Sequence, residues 1–249
     1  MLEAKYIDTL GFKVFSDNLD LIDVKNAYPK VINTISPNSY GLATRDADFL
    51  QTLKRSDYLV LDGVYFALAS ILLQGKNIKK NQGPDVFDHF IKRADKNSYK
   101  VFFLGSSTET LKKIEDKIHR IYPNIKVKSY SPPFKAEFDK NEDDEMVNII
   151  NQYQPDILFV GMTCPKQEKW SVKHKDALKS GLIISIGNVF DWFAESQKAI
   201  PAIWYKLRLA WLIRIFLRPE IFKRNIGNQM KFFGDVVMLF LKLKKLNNA

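Results

Sequence analysis

The sequence contains very little cysteine and histidine. Cys164 is the only cysteine in 249 residues, and the three histidines lie far apart along the chain. A lone cysteine excludes an internal disulfide and a cysteine-based zinc cluster, and it is compatible with a reducing compartment. No His-x-x-x-His pair is present, and we do not take the acidic residues of the sequence to indicate a metal site. We therefore expect a protein that uses no metal ion and no other cofactor.

Long hydrophobic runs are also missing. The longest strongly apolar stretch without a charged residue covers residues 63–75, whereas a membrane-spanning helix needs about 20 apolar residues. The first residues lack the basic-then-apolar order of a signal peptide. We expect a buried helix at 63–75 and a protein that stays on the cytoplasmic side of the membrane.

Positive charge is concentrated near the C-terminus. The net charge of the chain is +10 at pH 7. Residues 198–249 contain eleven lysines and arginines against two acidic residues, so this segment carries +9 and residues 1–197 carry +1. Such an asymmetry indicates an anionic partner for the segment, such as phosphates, an acidic membrane or nucleic acid.

Apolar residues recur at helical spacing within this basic segment. The first set is Trp204, Leu207, Trp211 and Ile215, and the second is Phe233, Val236, Val237, Phe240 and Leu243. A basic helix with a large apolar face is typical of proteins that lie on an anionic bilayer. A solvated or phosphate-binding face is an alternative. Nucleic-acid binding is another, but no helix-turn-helix, zinc-finger or RNA-binding signature accompanies the charge. We favour the membrane surface and expect no nucleic acid partner.

The rest of the chain alternates strand-like and helix-like segments. The predicted strands are 30–35, 58–61, 100–104, 126–130, 156–160 and 182–186, and the predicted helices are 39–55, 64–74, 85–94, 108–121, 143–153 and 166–179. Apolar strands followed by helices are typical of a mostly parallel sheet covered on both faces. We therefore predict a Rossmann-like α/β catalytic domain over residues 1–197 and a basic, amphipathic helical appendage over residues 198–249.

Polar residues follow several of the predicted strands. They are Ser36 and Asn38, Asp62, the loop 105–107 and the segment 161–168. The carboxyl ends of parallel strands meet at one edge of a sheet, where ligands bind. Structural alternatives exist for each: Asp62 could cap the next helix, Ser36 and Asn38 could be turn residues, and 105–107 could be an ordinary turn or a phosphate-binding helix start.

The segment Val160–Trp170 is the most informative part of the sequence. Gly161 permits close backbone approach, and Lys166, Gln167 and Glu168 come where the next helix should begin. A lysine at a helix start opposes the helix dipole. This favours a ligand-binding role for the segment over a solvated first turn.

Taken in order, these motifs resemble the WecG/TagA/CpsF family, glycosyltransferase family 26. Val160–Trp170 is similar to the family signature Val-Gly-x-Gly-x-Pro-Lys-Gln-Glu-x-Trp, and Leu61-Asp62-Gly63 is similar to a second family element. The resemblance runs over about residues 33–224. Further matches are Ser36–Asn38 for Thr-x-Asn, Lys80 where arginine is usual, Gln82–Asp85 for Thr-Gly-x-Asp, and Trp211, Arg214, Pro219 and Arg224 for a C-terminal Trp, Arg, Pro, Arg pattern.

The resemblance implies an inverting, metal-independent transferase that moves a sugar from a UDP-sugar to a polyprenyl-diphosphate-linked acceptor. The sugar would be N-acetylmannosamine, its uronic acid or a glucose-type hexose. Such an enzyme acts in cell-envelope polysaccharide synthesis as a peripheral protein of the cytoplasmic membrane face, and a homo-oligomer is compatible with the family.

The resemblance also implies roles for individual residues. Asp62 would be the general base, because inversion needs a carboxylate that takes the proton of the acceptor hydroxyl. Arginines and lysines would stabilise the charge of the leaving UDP in place of a metal. The expected cations are Arg214, Arg224, Lys80 and Lys166. Ser36, Asn38 and Gln167 would orient sugar hydroxyls, Glu168 and Lys166 would support the sugar or the local fold, and Gly161 would line the site.

The chain departs from the family pattern at several positions. Thr163 replaces a glycine of the signature, Asn188 stands where glycine is common, and Ala210 and Ile221 replace an expected glutamate and arginine. Because part of the cationic set is lost, a catalytically silent scaffold of envelope synthesis remains an alternative, as does a basic nucleic-acid-binding module. A nucleotide-dependent oxidoreductase would need a Gly-x-Gly-x-x-Gly loop, which is missing.

Overall fold

The sheet has eight strands, of which all but the first pair run parallel. The computed structural model describes residues 4–195 and 219–244. The strands are β1 (Tyr6–Thr9), β2 (Phe12–Phe15), β3 (Lys30–Ile35), β4 (Tyr58–Leu61), β5 (Lys100–Gly105), β6 (Lys126–Tyr130), β7 (Ile157–Gly161) and β8 (Leu182–Ser185). Their order in the sheet is β1-β2-β4-β3-β8-β7-β5-β6. Among the strands of the described residues, only β1 and β2 pair antiparallel.

Helices cover both faces of this sheet. They are α1 (Pro37–Ala43), α2 (Ala47–Lys54), α3 (Val64–Gln74), α4 (Gly83–Lys96), α5 (Thr108–Ile121), α6 (Lys140–Tyr153), α7 (Lys166–His174), α8 (Val189–Phe193) and α9 (Pro219–Phe240). One core cluster joins α4, α5 and α8 to one face, and two clusters join the other helices to the opposite face. The predicted α/β architecture with a mostly parallel sheet is therefore confirmed.

Two of the predicted helices end earlier than expected. The helix predicted over 39–55 is divided into α1 and α2, because Asp46 begins a new helix by accepting a hydrogen bond from the Phe49 backbone NH at 2.9 Å. The helix predicted over 166–179 ends at His174 and continues as a short 3-10 turn, Lys175–Ala177.

The C-terminal helix α9 shares a core with the α/β domain. Phe232 is fully buried. Its ring stacks on Phe66 of α3 with a centroid distance of 5.4 Å and meets the Tyr40 ring of α1 edge-on at 5.5 Å. The predicted boundary at residue 198 lies outside the described residues. Among the helices in the two described ranges, none has the length and apolar character needed to cross a bilayer.

Candidate active site

The parallel register brings the carboxyl ends of the strands to one edge of the sheet. Ile35 pairs with Leu61, so the residues that follow β3 and β4 are neighbours. Val160 pairs with Ser185, which places the loops after β7 and β8 side by side. This edge holds the strand-end residues that the sequence singled out.

Asp62 lies between the loops that follow β3 and precede α4. Its backbone NH donates to the Ile35 carbonyl oxygen at 2.9 Å, which sets Asp62 beside Ser36. Lys80 forms an isolated bridge with Leu61, the residue before Asp62. The N-cap of α3 is Gly63, with φ of 89°, and not Asp62. The structure therefore groups Ser36, Asp62 and Lys80 at the end of β4.

Ser36 and Asn38 both have structural partners at the start of α1. The Ser36 hydroxyl accepts from the Ser39 backbone NH at 3.3 Å, and the Ser39 hydroxyl accepts from the Ser36 NH at 2.7 Å, which is a reciprocal capping box. The Asn38 side-chain oxygen accepts from the Asn228 amide of α9 at 3.1 Å. The turn role that the sequence left open for these residues is present, and their contact with a sugar stays a prediction.

α9 packs closely against α1, the helix that contains Asn38. A Cβ atom added to Gly41 would overlap the carbonyl oxygen of Asn228, so only glycine allows the two helices to approach this far. The Tyr40 hydroxyl donates to the buried Asp235 carboxylate at 3.1 Å. Sequence reasoning missed Asn228, which contacts the predicted site residue Asn38. The available signal was Gly41, since glycine inside a helix lowers stability unless close packing requires it.

The Asp235 carboxylate is the polar centre of the contact between α1 and α9. Lys231 and Lys244 form ion pairs with it at 2.6 and 2.9 Å. Burial acts to raise the pKa of Asp235, but the hydrogen bonds from both lysines outweigh it and hold the pKa below its usual range. Burial and the neighbouring Asp235 raise the pKa of the Tyr40 hydroxyl, so Tyr40 remains a hydrogen-bond donor.

α9 also carries Arg224 toward the loop after β7. Burial strongly raises the pKa of the Cys164 thiol, Glu168 raises it further, and the positive charge of Arg224 opposes both. Arg224 is therefore a described arginine whose charge acts on the loop after β7. Arg214, the other predicted phosphate-binding arginine, lies outside the described residues.

Gln167 is buried inside the segment Val160–Trp170. Its side-chain oxygen accepts from the Met162 backbone NH at 3.2 Å, and its amide nitrogen donates to the Glu168 carboxyl at 2.8 Å. One carboxyl oxygen of Glu168, Oε2, is buried without a hydrogen-bond partner among the described residues. Burial raises the pKa of Glu168, and the hydrogen bonds from Gln167 and Cys164 only partly offset this. Glu168 is thus favoured in its neutral form.

Gly161 and Lys166 have contacts that differ from those expected of ligand-binding residues. A Cβ at Gly161 would overlap the Phe190 ring, so packing of α8 on β7 accounts for this glycine. The Lys166 ammonium donates to the Lys135 carbonyl oxygen at 2.6 Å and lies over the Phe138 ring at 4.4 Å. Two strands separate β4 from β7, which puts their ends roughly 14 Å apart. In this structure the Lys166 ammonium therefore contacts the segment before α6.

The arrangement at the end of β4 can perform acid–base chemistry beside an anionic group. It combines a carboxylate, a hydroxyl, an amide and an ammonium group, with the Arg224 guanidinium on the neighbouring helix. Within residues 4–195 and 219–244, no three His, Cys, Asp or Glu side chains come close enough together to hold a metal ion. Independence from metal remains a prediction, because it concerns the reaction.

Comparison with known proteins finds relatives over most of the chain. A family profile described as "Glycosyl transferase WecG/TagA/CpsF family" matches residues 6–246. A protein of Bacillus subtilis (strain 168), named N-acetylglucosaminyldiphosphoundecaprenol N-acetyl-beta-D-mannosaminyltransferase, is 28% identical over 214 residues, covering 86% of this chain and 81% of the relative. A Staphylococcus aureus (strain NCTC 8325 / PS 47) protein with the same name is 30% identical over 186 residues, covering 75% and 71% respectively.

Proposed function

Because the chain belongs to the WecG/TagA/CpsF family of glycosyl transferases, we propose that it transfers N-acetylmannosamine from a UDP-sugar to N-acetylglucosamine on a polyprenyl diphosphate. The chain is a glycosyltransferase, and both relatives described above are named for this sugar and this kind of acceptor. The observation that carries the proposal is the position of Asp62, beside Ser36 and Lys80 at the carboxyl edge of the sheet.

In the proposed reaction, Asp62 is the general base. Its carboxylate takes the proton of the acceptor hydroxyl while the hydroxyl oxygen attacks the anomeric carbon, and UDP leaves from the opposite face of the sugar. The configuration at that carbon is therefore inverted.

The leaving UDP gains negative charge that cations must stabilise. Arg224 and Lys80 are the described cations near the strand ends, and Arg214 joins them in the proposal. Arginine suits a diphosphate because its planar guanidinium binds two oxygens at once. The transfer would then proceed without a metal ion.

The acceptor's lipid tail makes an anionic membrane the natural location for this reaction. The basic segment after residue 198 supports such a location through its net charge of +9, because juxtamembrane lysines and arginines each favour binding to anionic lipids. We propose that the enzyme is a peripheral protein of the cytoplasmic membrane face.

The test is a UDP-release assay with a panel of UDP-sugars. UDP-N-acetylmannosamine, UDP-N-acetylglucosamine and UDP-glucose are offered with a water-soluble, short-chain polyprenyl-diphosphate-N-acetylglucosamine, with and without EDTA. We expect release that depends on the acceptor, is fastest with UDP-N-acetylmannosamine and survives chelation. Loss of release in EDTA would overturn metal independence alone, whereas absence of UDP binding would overturn the proposed donor.

A further inference from the structure

Helix α3 exposes one apolar face although it begins next to the candidate base. The exposed side chains are Tyr65, Leu68, Ile71 and Leu72, which are 40–53% accessible. Their spacing puts them on one side of the helix, while Phe66, Ala67, Ala69 and Ser70 are buried. The helix carries no charged residue. Large exposed apolar patches of this kind mark sites that bind proteins or membranes.

A second exposed apolar face lies on α9 and the turn that follows it. Its members are Phe233, Val237, Phe240 and Leu241, which are 39–55% accessible. The two faces meet where the Tyr65 and Phe233 rings contact each other edge-on, with a centroid distance of 5.6 Å. Below this contact, Phe66 and Phe232 stack in the core. We refer to these eight exposed residues together as the α3–α9 face.

Exposed lysines border the α3–α9 face. Lys76 follows the C-terminal end of α3, and Lys242 follows α9. The acidic Asp235 of α9 is buried and paired with Lys231 and Lys244. An apolar surface with a basic border is complementary to acyl chains beneath anionic headgroups. A second copy of the chain would bring like charges together at the same border, which disfavours a dimer through this face.

We propose that the α3–α9 face is the surface that enters the lipid of an anionic bilayer, with α3 and α9 contributing jointly. The proposal rests on the proposed function and extends it, since it assigns the lipid contact to α3 of the α/β domain as well as to the basic segment. α3 starts two residues after Asp62. Immersion of its exposed side therefore holds Asp62 near the headgroup level, where the diphosphate and sugar of a lipid-linked acceptor lie.

The experiment measures sedimentation with vesicles of phosphatidylglycerol and phosphatidylcholine. The test variant is Leu68→Gln with Leu72→Gln. The matched control is Ile121→Gln, because Ile121 is 46% exposed at the end of α5, on the opposite face of the sheet. We expect the double variant to bind vesicles about tenfold or more weakly, since two exposed leucines lose their burial in lipid. The control should bind like the wild type.

Activity measured in two formats separates this proposal from the proposed function. UDP release with the short-chain soluble acceptor should be unchanged in the double variant, whereas release with a long-chain acceptor embedded in vesicles should fall with vesicle binding. If the wild type released UDP in neither format, the proposed function would be overturned. The α3–α9 face would then be tested by vesicle binding alone. Vesicle binding equal to that of the wild type would overturn the α3–α9 face even in an active enzyme.

Further measurements test whether lipid, a second copy of the chain or another segment of this chain covers the face. Leu68→Trp should show a blue-shifted fluorescence increment on adding vesicles, whereas Ile121→Trp should not. Light scattering that gives a dimer for the wild type and a monomer for the double variant, with vesicle binding intact, would assign the face to a second copy and overturn the proposal. A lowered melting temperature with intact vesicle binding would assign it to another segment of this chain, with the same consequence.

Discussion

The loop after β7 and the junction between α1 and α9 differ in how well their sequence motifs predict what their residues contact. Val160–Trp170 contains the densest motif of the chain, yet Gln167, Glu168 and Trp170 are buried and hydrogen bonded within the protein. The α1–α9 junction has no comparable motif, but it holds Asn38 beside Asn228. A dense sequence motif therefore does not by itself identify a substrate-binding segment. Internal packing also restricts which residue types a position can accept.

The largest expected effect is at Asp62, which belongs to neither region. Asp62→Asn keeps the size of the side chain and removes the base, so turnover should fall by about 10²–10⁴-fold. Binding of UDP-sugar, measured by calorimetry, should stay close to that of the wild type. Asp176→Asn, at an exposed position outside the candidate site, is the control. Unchanged turnover in Asp62→Asn would remove Asp62 from the mechanism.

A substitution at Gly41 tests the importance of the α1–α9 junction. Gly41→Ala forces α9 away from α1, because the new methyl group would overlap the Asn228 backbone. We expect turnover to fall by about 10- to 100-fold, the equivalent of 1–3 kcal/mol of overpacking. Gly227→Ala on α9 is the matched control, since its Cβ would meet only the Arg45 guanidinium at 3.9 Å. Equal activity of the two variants would show that the position of α9 is unimportant for catalysis.

The loop after β7 can be tested at Gly161. If its glycine is required for packing, Gly161→Ala should lower the free energy of unfolding by about 1–3 kcal/mol through overlap with the Phe190 ring. Thermal unfolding in the absence of substrate measures this. Gly234→Ala, where the Cβ would have open space within α9, should be neutral or slightly stabilising. Wild-type stability of Gly161→Ala combined with weakened donor binding would instead favour the ligand-binding role.

The smallest expected effect is a change in pH dependence at Glu168. Because the folded protein raises the pKa of this carboxyl above its ordinary value of 4.5, its contribution to stability is complete below about pH 4.5 and declines as pH rises through the folded pKa. Glu168→Gln should therefore gain stability relative to the wild type as pH rises above about 4.5. Glu109→Gln, which removes an exposed carboxyl whose pKa is lowered by Lys113, should show no such gain. Parallel melting curves for Glu168→Gln and the wild type would mean that Glu168 is ionised.

The sequence predicted the parallel strands well because each is a short apolar run bounded by polar residues. It did not reveal the β1–β2 hairpin, whose turn is Leu10-Gly11 with φ values of 51° and 81°. Hairpin turns of two residues usually contain Asn-Gly or Asp-Gly, and leucine gives no such signal. The break between α1 and α2 was missed for a similar reason, since Asp46 acts as a cap inside a continuous helical pattern.

The candidate site was predicted less evenly than the fold. Asp62 and Ser36 could be grouped because strand ends in a parallel sheet must meet, whereas Lys80 was named only through the family resemblance. The contacts of Asn38 with Asn228 and of Lys166 with Lys135 depend on tertiary packing between segments far apart in the chain. Nothing in the spacing of these residues encodes them. The sequence likewise did not reveal the role of Gly161, because close packing and close approach of a ligand both require glycine.

The hydrogen bond between Asn38 and Asn228 would couple the two proposed binding equilibria, that of the sugar donor and that of the bilayer. Asn38 belongs to the helix that begins at the candidate sugar site, and Asn228 belongs to the helix that carries part of the proposed lipid surface. When two ligands bind one protein, the factor by which the first changes the affinity of the second equals the factor by which the second changes that of the first. If binding to a bilayer through α9 raises the affinity for the sugar donor by some factor, binding of the donor raises the affinity for the bilayer by the same factor.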